Sequence, residues 1–406
     1  MNGNGVVAAP TARPLEGLRV IELGTLIAGP FCARILGEFG AEVVKIESPD
    51  GGDPLRKWRK MDGETSLWWY VQARNKRSVT ANLKHPDGIA LVRDLVQRAD
   101  IVIENFRPGV LEKLGLGWET LSALNPGLVM VRLSGFGQTG PMAKMPGFGA
   151  IGESMGGLRY VTGFADRPPV KTGVSIGDSI AALWGAFGAM AALRHREVNG
   201  GAGQVVDVAL YEAVFAMMES LVPEFDAAAF IRERTGNVMP GITPSNTYTT
   251  RDGKHLIIGA NGDAIFRRLM VTMERPDLAD DPTLGDNAGR DARAAELYAA
   301  IGTWVAARDE ADVLAAMASA EVPASRVFSV ADMFDDPQFL ARDMIVAAAR
   351  PDGRPLAVPG IVPKLSATPG RTDRLGPALG ADTEAVLTDL GYDAAKIMRL
   401  RRDGAI

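Results

Sequence analysis

The chain is poor in the residues that build metal sites and disulfides, with one cysteine, Cys32, and three histidines, His85, His195 and His255. A lone thiol excludes an intrachain disulfide, so an oxidising compartment would add no stability and the cytoplasm is the expected location. No His-x-x-x-His spacing and no cysteine cluster occur, so no metal is expected. A triad hydrolase is not expected, because none of the histidines sits in a recognisable catalytic setting: His85 before Pro86 and His195 among arginines read as surface residues. The net charge of −5 lacks the basic footprint of a general nucleic-acid binder, so no nucleic-acid partner is expected. Nor is a membrane partner expected. The most apolar stretch, read as a buried core helix from Ser179 to Leu193, falls short of the roughly 20 residues that span a bilayer. Residues 1–13, MNGNGVVAAPTAR, lack the basic start and apolar centre of a secretory signal and read as a flexible tail.

What is present suits a soluble protein of 406 residues, too long for one ordinary core, so two domains are expected. LRVIEL from Leu18, a helical stretch FCARILGEFG and AEVVKIE ending at Glu47 form a β-α-β unit, which implies a parallel sheet covered on both faces. The turn GTLIAGP after the first strand is neither Gly-x-Gly-x-x-Gly nor a P-loop, because Pro30 stands where a phosphate-binding lysine is needed. Glu47 stands about where a ribose-binding acid would, yet without the fingerprint NAD is not expected. HPDGIALVRDLVQRAD is an amphipathic helix, DIVIENF a strand with a polar tip at Asn105 and Phe106, and GLVMVRLSGFG another strand. This alternation predicts a doubly wound α/β fold, with ligands past the carboxyl ends of the strands. Gly140 to Gly157 reads as a loop. A hairpin from Thr247 to Asn261 turning at Asp252-Gly253, with helices from Ala264 to Met273 and Ala292 to Ala320, suits a smaller α+β domain. A last helix is expected near Thr383 to Leu390.

GVSIGDSIAALWGAFGAMAAL carries a single ionisable residue, Asp178. Asp is a favoured N-cap, which is the plain explanation. Gly177, Gly185 and Gly188 leave room for a close approach, and the helix dipole would keep the carboxylate ionised. An ionised carboxylate there can act as a nucleophile toward an activated acyl group. A second concentration runs from Asp53 to Lys84: Arg56, Lys57, Arg59, Lys60, then Trp68, Trp69 and Tyr70, then Arg74, Lys76 and Arg77. It reads either as a solvated loop beside an aromatic cluster or as a site for a phosphorylated ligand with a flat ring.

The order and spacing of PLEGLRVIELGTLIAGPFCARILGEFGAEVVKIE, NKRSVTANLKHPDG, ADIVIENFRPGVLEKLGLGWETLSALNPGLV, GFGQTGP, the Gly177-Asp178 step and GQVVDVALYEAV resemble the class III coenzyme A transferases. These include formyl-CoA transferase and carnitine CoA-transferase, and the likeness runs over nearly the whole chain. The resemblance implies a Rossmann-like large domain over 14–220, a linker and small domain over 221–345, and a segment 346–406 returning to the large domain. It also implies two ring-shaped chains interlocked as a homodimer. It makes Asp178 the nucleophile that takes the acyl group and then CoA. CoA or acyl-CoA is then a substrate, with no tightly bound cofactor. CoA contacts carried over by position fall on Ile27, Ala81, Lys84, Asn105, Phe106 and Lys113, where Ile27 replaces a polar amide and Lys113 an arginine. The glycine-rich loop of formyl-CoA transferase matches Asn237 through Gly241, NVMPG, which keeps few glycines and argues against oxalate and formate as substrates.

The 2-methylacyl-CoA racemases resemble the chain too, but they carry a histidine base where Phe148 stands, and phenylalanine cannot take a proton. A non-catalytic CoA-binding protein would not need Asp178. The region most resembles the succinyl-CoA-dependent branch acting on dicarboxylates. Arg167, Lys171 and Lys144 are the expected partners for a second carboxylate.

Overall fold

The computed structural model describes residues 12–406. The tail expected over 1–13 therefore lies, for residues 1–11, outside the described residues, while Arg13 is tied to Asp373 at 2.5 Å. The chain forms two compact units. The first comprises residues up to Leu158, Thr172–Val222 and Ala341–Ile406, and the second Arg159–Lys171 and Pro223–Leu340. The excursion 159–171, expected in the large domain, belongs to the second unit.

The first unit is built on six strands: β1 (Arg19–Glu22), β2 (Glu42–Glu47), β3 (Lys76–Thr80), β4 (Ile101–Glu104), β5 (Val129–Ser134) and β6 (Val205–Ala209). Every neighbouring pair is parallel, and the order across the sheet is β3-β2-β1-β4-β5-β6. This is the doubly wound order, whose switch point lies between β1 and β4 and where ligands bind at the carboxyl ends. The strands read as near-continuous Val, Ile and Leu because both faces are covered. One face packs Val20, Ile103, Val131 and Leu133 under α1 (Ala28–Glu38) and the long helix discussed below, while the other packs Ile21, Val44, Val102 and Met130 under Leu91, Leu95 and Leu121. The C-terminal segment completes the second face with Val386, Leu387, Ile397, Leu400 and Ile406. Its Asp382 accepts a hydrogen bond from Ser78 N at 2.8 Å on the edge strand β3.

Three expectations of element placement are corrected. The stretch Gly140 to Gly157 is not all loop, because α2 (Gly149–Met155) forms within it. The long apolar helix, α3, runs Ile176–Val198 over 23 residues, starting before Asp178 and continuing through a charged last turn. It is therefore long and apolar enough to cross a bilayer by length and composition. It is also not a fully buried core helix. Ala181, Ala182, Gly185, Ala189 and Ala192 are buried beneath the sheet, whereas Leu183 and Phe187 on the opposite side are 53% and 66% exposed. Finally, Thr383–Asp389 is followed by another helix, Ala394–Arg402, which Asp393 caps through Lys396 N at 2.7 Å.

The second unit has an antiparallel sheet of Ser245–Thr249, His255–Gly259 and Ala324–Arg326, with His255–Gly259 in the centre. Leu256, Ile258, Phe266, Leu269, Leu297, Ile301 and Val313 form its core. The hairpin turns at Asp252-Gly253 with Gly253 in the left-handed region. The helix expected from Ala292 to Ala320 is two helices, Ala294–Ala306 and Glu310–Ser319, parted at Arg308-Asp309, where Asp309 pairs with Arg251.

Candidate active site

The first turn after β1 is pinned from both sides of the switch point. Asn105, just past β4, accepts from Thr25 N at 2.8 Å and donates to Thr25 O at 2.9 Å. Asp53 accepts from Leu26 N at 3.1 Å, which holds Leu26 in the left-handed region at φ 65. Such a conformation in a branched side chain costs energy and persists only where the surroundings impose it. Asp53 is itself held at 2.8 Å by Lys45, which also reaches Glu22 at 2.7 Å, and Lys76 takes the other Glu22 oxygen at 2.7 Å. These groups are almost fully buried, so the turn rests on a paired ionic cluster inside the sheet. Burial opposes the Asp53 charge, but Lys45 and the backbone donors outweigh it and hold the carboxyl below its usual range.

Above this cluster, at the carboxyl ends of β1, β2, β3 and β4, lies a cavity of about 200 Å³. Ala81, Lys84 and Phe106 line it with Leu23, Thr25 and Ser48. Three of the six CoA positions carried over by resemblance thus meet in one cavity at the switch point. Asn105 stands beside it with its amide spent on the turn. Ile27 is buried with its carbonyl accepting from Gln72 at 3.0 Å, and Lys113 is exposed on the helix Val110–Lys113. Neither lines this cavity.

The basic run does not present its charges as a phosphate site. Arg56 is buried against Glu47 at 2.7 Å with its guanidinium 3.7 Å over the Trp69 ring, Arg74 pairs with Glu38, Lys76 with Glu22, and Arg77 with Glu42. These partners sit on other strands and helices, so neither of the two sequence readings covered them. Lys57, Arg59 and Lys60 stay exposed.

Asp178 is the third residue of α3 and is not its cap. The N-cap is Ser175, and no side chain caps the helix start. Its carboxylate lies against the first residue of α2: a Cβ built on Gly149 would come within 2.7 Å of the Asp178 carboxyl carbon. Gly149, Gly152 and Gly156 lie on one face of that turn, and Gly152 and Gly156 leave equally little space toward Leu210, Tyr211 and Val214. The stripe brings α2 close enough to bury Glu153, whose Oε1 is 3.4 Å from Gly177 N. Burial first and the neighbouring Glu153 second push the Asp178 carboxyl up to about 6. The expected dipole effect is thus outweighed by desolvation, and the group titrates just below neutrality. Glu153 was not singled out from sequence; the available signal was a lone acid inside a Gly-x-x-Gly-x-x-x-Gly helix face.

Lys144 is exposed in the first unit. Arg167 and Lys171 are exposed in the second, where Arg167 lies 3.8 Å from Asp166 and over the Phe164 ring. The loop Asn237 through Gly241 is in the second unit too, tied at Gly241 to Asp291 and Asn287. Phe148, at the racemase base position, is 68% exposed.

The family model of CoA-transferase family III matches residues 15–383. The chain is 50% identical over 380 residues to succinyl-CoA–D-citramalate CoA-transferase of Chloroflexus aurantiacus, covering 93% of this chain and 94% of that protein. It is 43% identical over 392 residues to the succinyl-CoA–L-malate CoA-transferase alpha subunit of the same species, covering 96% and 91%. A crystal structure of a CAIB/BAIF family protein from Brucella suis superposes with a TM-score of 0.82 at 35% identity, covering 94% of this chain and all of that one. A doubly wound sheet with its cavity at the switch point, a half-buried carboxylate at a helix start and a match across most of the length agree. The chain belongs to CoA-transferase family III and is a class III CoA-transferase.

Proposed function

We propose that the enzyme moves CoA from succinyl-CoA to a C4 to C6 dicarboxylic or hydroxydicarboxylic acid through covalent intermediates on Asp178. An Asp178 oxygen attacks the thioester carbonyl, the C–S bond breaks, and CoA thiolate leaves a mixed anhydride. The thiolate attacks the aspartyl carbonyl, succinate departs, and an aspartyl-CoA thioester remains. The acceptor carboxylate attacks that thioester and expels thiolate, which then attacks the acceptor's acyl carbon and frees Asp178. No net proton, oxidant or reductant is needed.

The observation that carries this reading is the placement of Asp178. A carboxylate desolvated enough to titrate near 6 is still mostly ionised at neutral pH, yet is a better nucleophile than one in water. The free N–H groups and dipole of α3 favour negative charge developing beside it. The cavity at the switch point suits the nucleotide end of CoA, with Phe106 offering a ring face and Lys84 an ammonium for phosphate. CoA is a passing substrate here, with no resident cofactor. The succinyl donor and dicarboxylate acceptor rest on the two relatives, whose names give succinyl-CoA with citramalate and malate. Phe148 in place of a histidine base argues against racemisation.

The homodimer belongs to the same proposal. The exposed side of α3 presents Leu183, Trp184, Phe187 and Met190 together, with Trp184 and Phe187 edge to face at 6.0 Å. An apolar face of that kind is characteristic of a subunit interface, and a second copy, interlocked as the resemblance implies, would cover it. The buried free thiol of Cys32 is compatible with a reducing cytoplasm, and the reading needs neither a membrane nor a nucleic acid.

The test is an exchange assay with succinyl-CoA and a panel of carboxylic acids, read by mass spectrometry of new thioesters. Dicarboxylates should accept CoA in preference to monocarboxylates of equal length. Exchange of the α-proton of (2R)-methylacyl-CoA without any acceptor would favour racemisation.

A further inference from the structure

The dicarboxylate reading needs a group that holds the carboxylate remote from the reacting one; of the residues expected for it, Arg167 and Lys171 lie in the second unit and Lys144 is exposed in the first. The first unit has a further candidate. A cavity of about 420 Å³ is lined by Arg59, Lys60, Leu67, Trp68, Val174, Ser175 and Ser179. The start of α3 contributes to its lining: Ser175 is the N-cap residue and Ser179 directly follows Asp178. The cavity is therefore lined in part by the turn of helix that carries the nucleophile.

The two cations on its wall differ from the buried and paired members of the basic run. Arg56, Arg74, Lys76 and Arg77 are consumed by Glu47, Glu38, Glu22 and Glu42. Arg59 instead lies over the Trp68 ring at 4.5 Å, an arrangement that steadies the guanidinium while leaving its N–H edge available. Arg59 is also held in the left-handed region at φ 61, in the short connection between Trp58 and the hairpin Met61–Asp62/Thr65–Ser66. The Ser66 hydroxyl anchors that connection by donating to Trp58 O at 2.6 Å and by capping the following helix through Trp68 N at 3.0 Å. Leu67, Val174 and Trp68 add apolar lining to the same cavity. A short methylene chain ending in a carboxylate matches that combination of apolar and cationic lining.

We infer that Arg59, with Lys60, forms the subsite for the distal carboxylate of both the succinyl donor and the acceptor acid, and so selects dicarboxylates. The inference rests on the transferase reading and deepens it. One subsite serves both half-reactions, because the succinyl group and a dicarboxylate acceptor present the same anion at the far end of the reacting carbonyl. An anion entering this cavity gives up water, which is tolerable only against a fixed cation, and Arg's planar fork matches a carboxylate in two hydrogen bonds.

The experiment compares the wild type with Arg59→Gln, Lys60→Gln and Arg59→Lys, all checked for unchanged thermal unfolding. Exchange of isotopically labelled succinate with succinyl-CoA is measured beside transfer to monomethyl succinate, and succinate binding is measured by calorimetry in the presence of CoA. The ratio of kcat/KM for succinate over its monoester should fall about tenfold or more in Arg59→Gln and partly recover in Arg59→Lys, with succinate binding weakened in parallel. If both acceptors are lost equally, or the ratio holds, the subsite is overturned while the transferase reading stands. If the wild type exchanges nothing yet binds succinate through Arg59, the transferase reading falls and the subsite stands. If it neither exchanges nor binds succinate, both fall.

Discussion

Gly149 and Asp178 share one space: a side chain at 149 would displace the carboxylate that the chemistry needs, since its Cβ would lie 2.7 Å from the Asp178 carboxyl carbon. Gly149→Ala should therefore act on the reaction more than on the fold. A displacement of about 1 Å in a reacting group can cost on the order of 100-fold, so kcat for CoA transfer should fall by about that factor. Overpacking should cost only ~1–3 kcal/mol, read by urea denaturation.

The pH dependence follows from the raised carboxyl. Asp178 works ionised, so kcat/KM should fall about tenfold per unit as pH drops below about 6. Glu153→Gln removes a neighbouring negative charge, so the midpoint of that profile should move to lower pH. A profile that is flat from pH 5 to 8 would separate the residue from the rate.

The same shift has a consequence for stability. Because the folded-state value lies above the ordinary 3.8, the proton binds the folded protein more tightly. That stabilisation is present below the unfolded value and is lost as pH rises through about 6. Asp178 is then a liability at neutral pH, and Asp178→Asn should raise stability at pH 7.5 by ~2 kcal/mol while adding little at pH 4. Chemical denaturation at the two pH values reads this directly.

Much of the first unit was legible because buried parallel strands are apolar along their length and alternate with helices of clear period, as in Arg19–Glu22, Ala28–Glu38 and Glu42–Glu47. Asp178 stood out as the one charge in an apolar stretch. What was hidden depends on register between distant segments. Arg56, Arg74 and Lys76 looked available because Glu47, Glu38 and Glu22 come to them only when β2, α1 and β1 are assembled. Glu153 was hidden for a similar reason, since glycine density reads locally as loop, and only packing against Leu210 and Val214 makes it a helix. The return of Val386, Leu387 and Ile406 to the first core came from the family resemblance, not from any local pattern.

The buried cluster beneath the turn should be sensitive to charge balance. Glu22→Gln leaves Lys45 and Lys76 without their shared partner at almost zero exposure, and the loss should be about 3–5 kcal/mol. Adding Lys76→Met should recover part of it by removing one unpaired charge, as a double-mutant cycle in guanidinium would show.

Binding of CoA should be separable from chemistry. Lys84→Ala at the rim of the switch-point cavity should raise KM for acyl-CoA about tenfold and leave kcat near the wild-type value, because it removes a contact shared by ground and transition states. A fall in kcat with unchanged KM would place Lys84 elsewhere in the mechanism.

The covalent role of Asp178 is the claim on which the mechanism depends, and trapping tests it most directly. The enzyme is incubated with succinyl-CoA, quenched with hydroxylamine, digested and read by peptide mass spectrometry. A hydroxamate on the peptide containing Asp178, absent without the acyl-CoA and absent in Asp178→Asn, is the predicted result. A hydroxamate on another carboxylate, or steady CoA transfer by Asp178→Asn, would contradict the account.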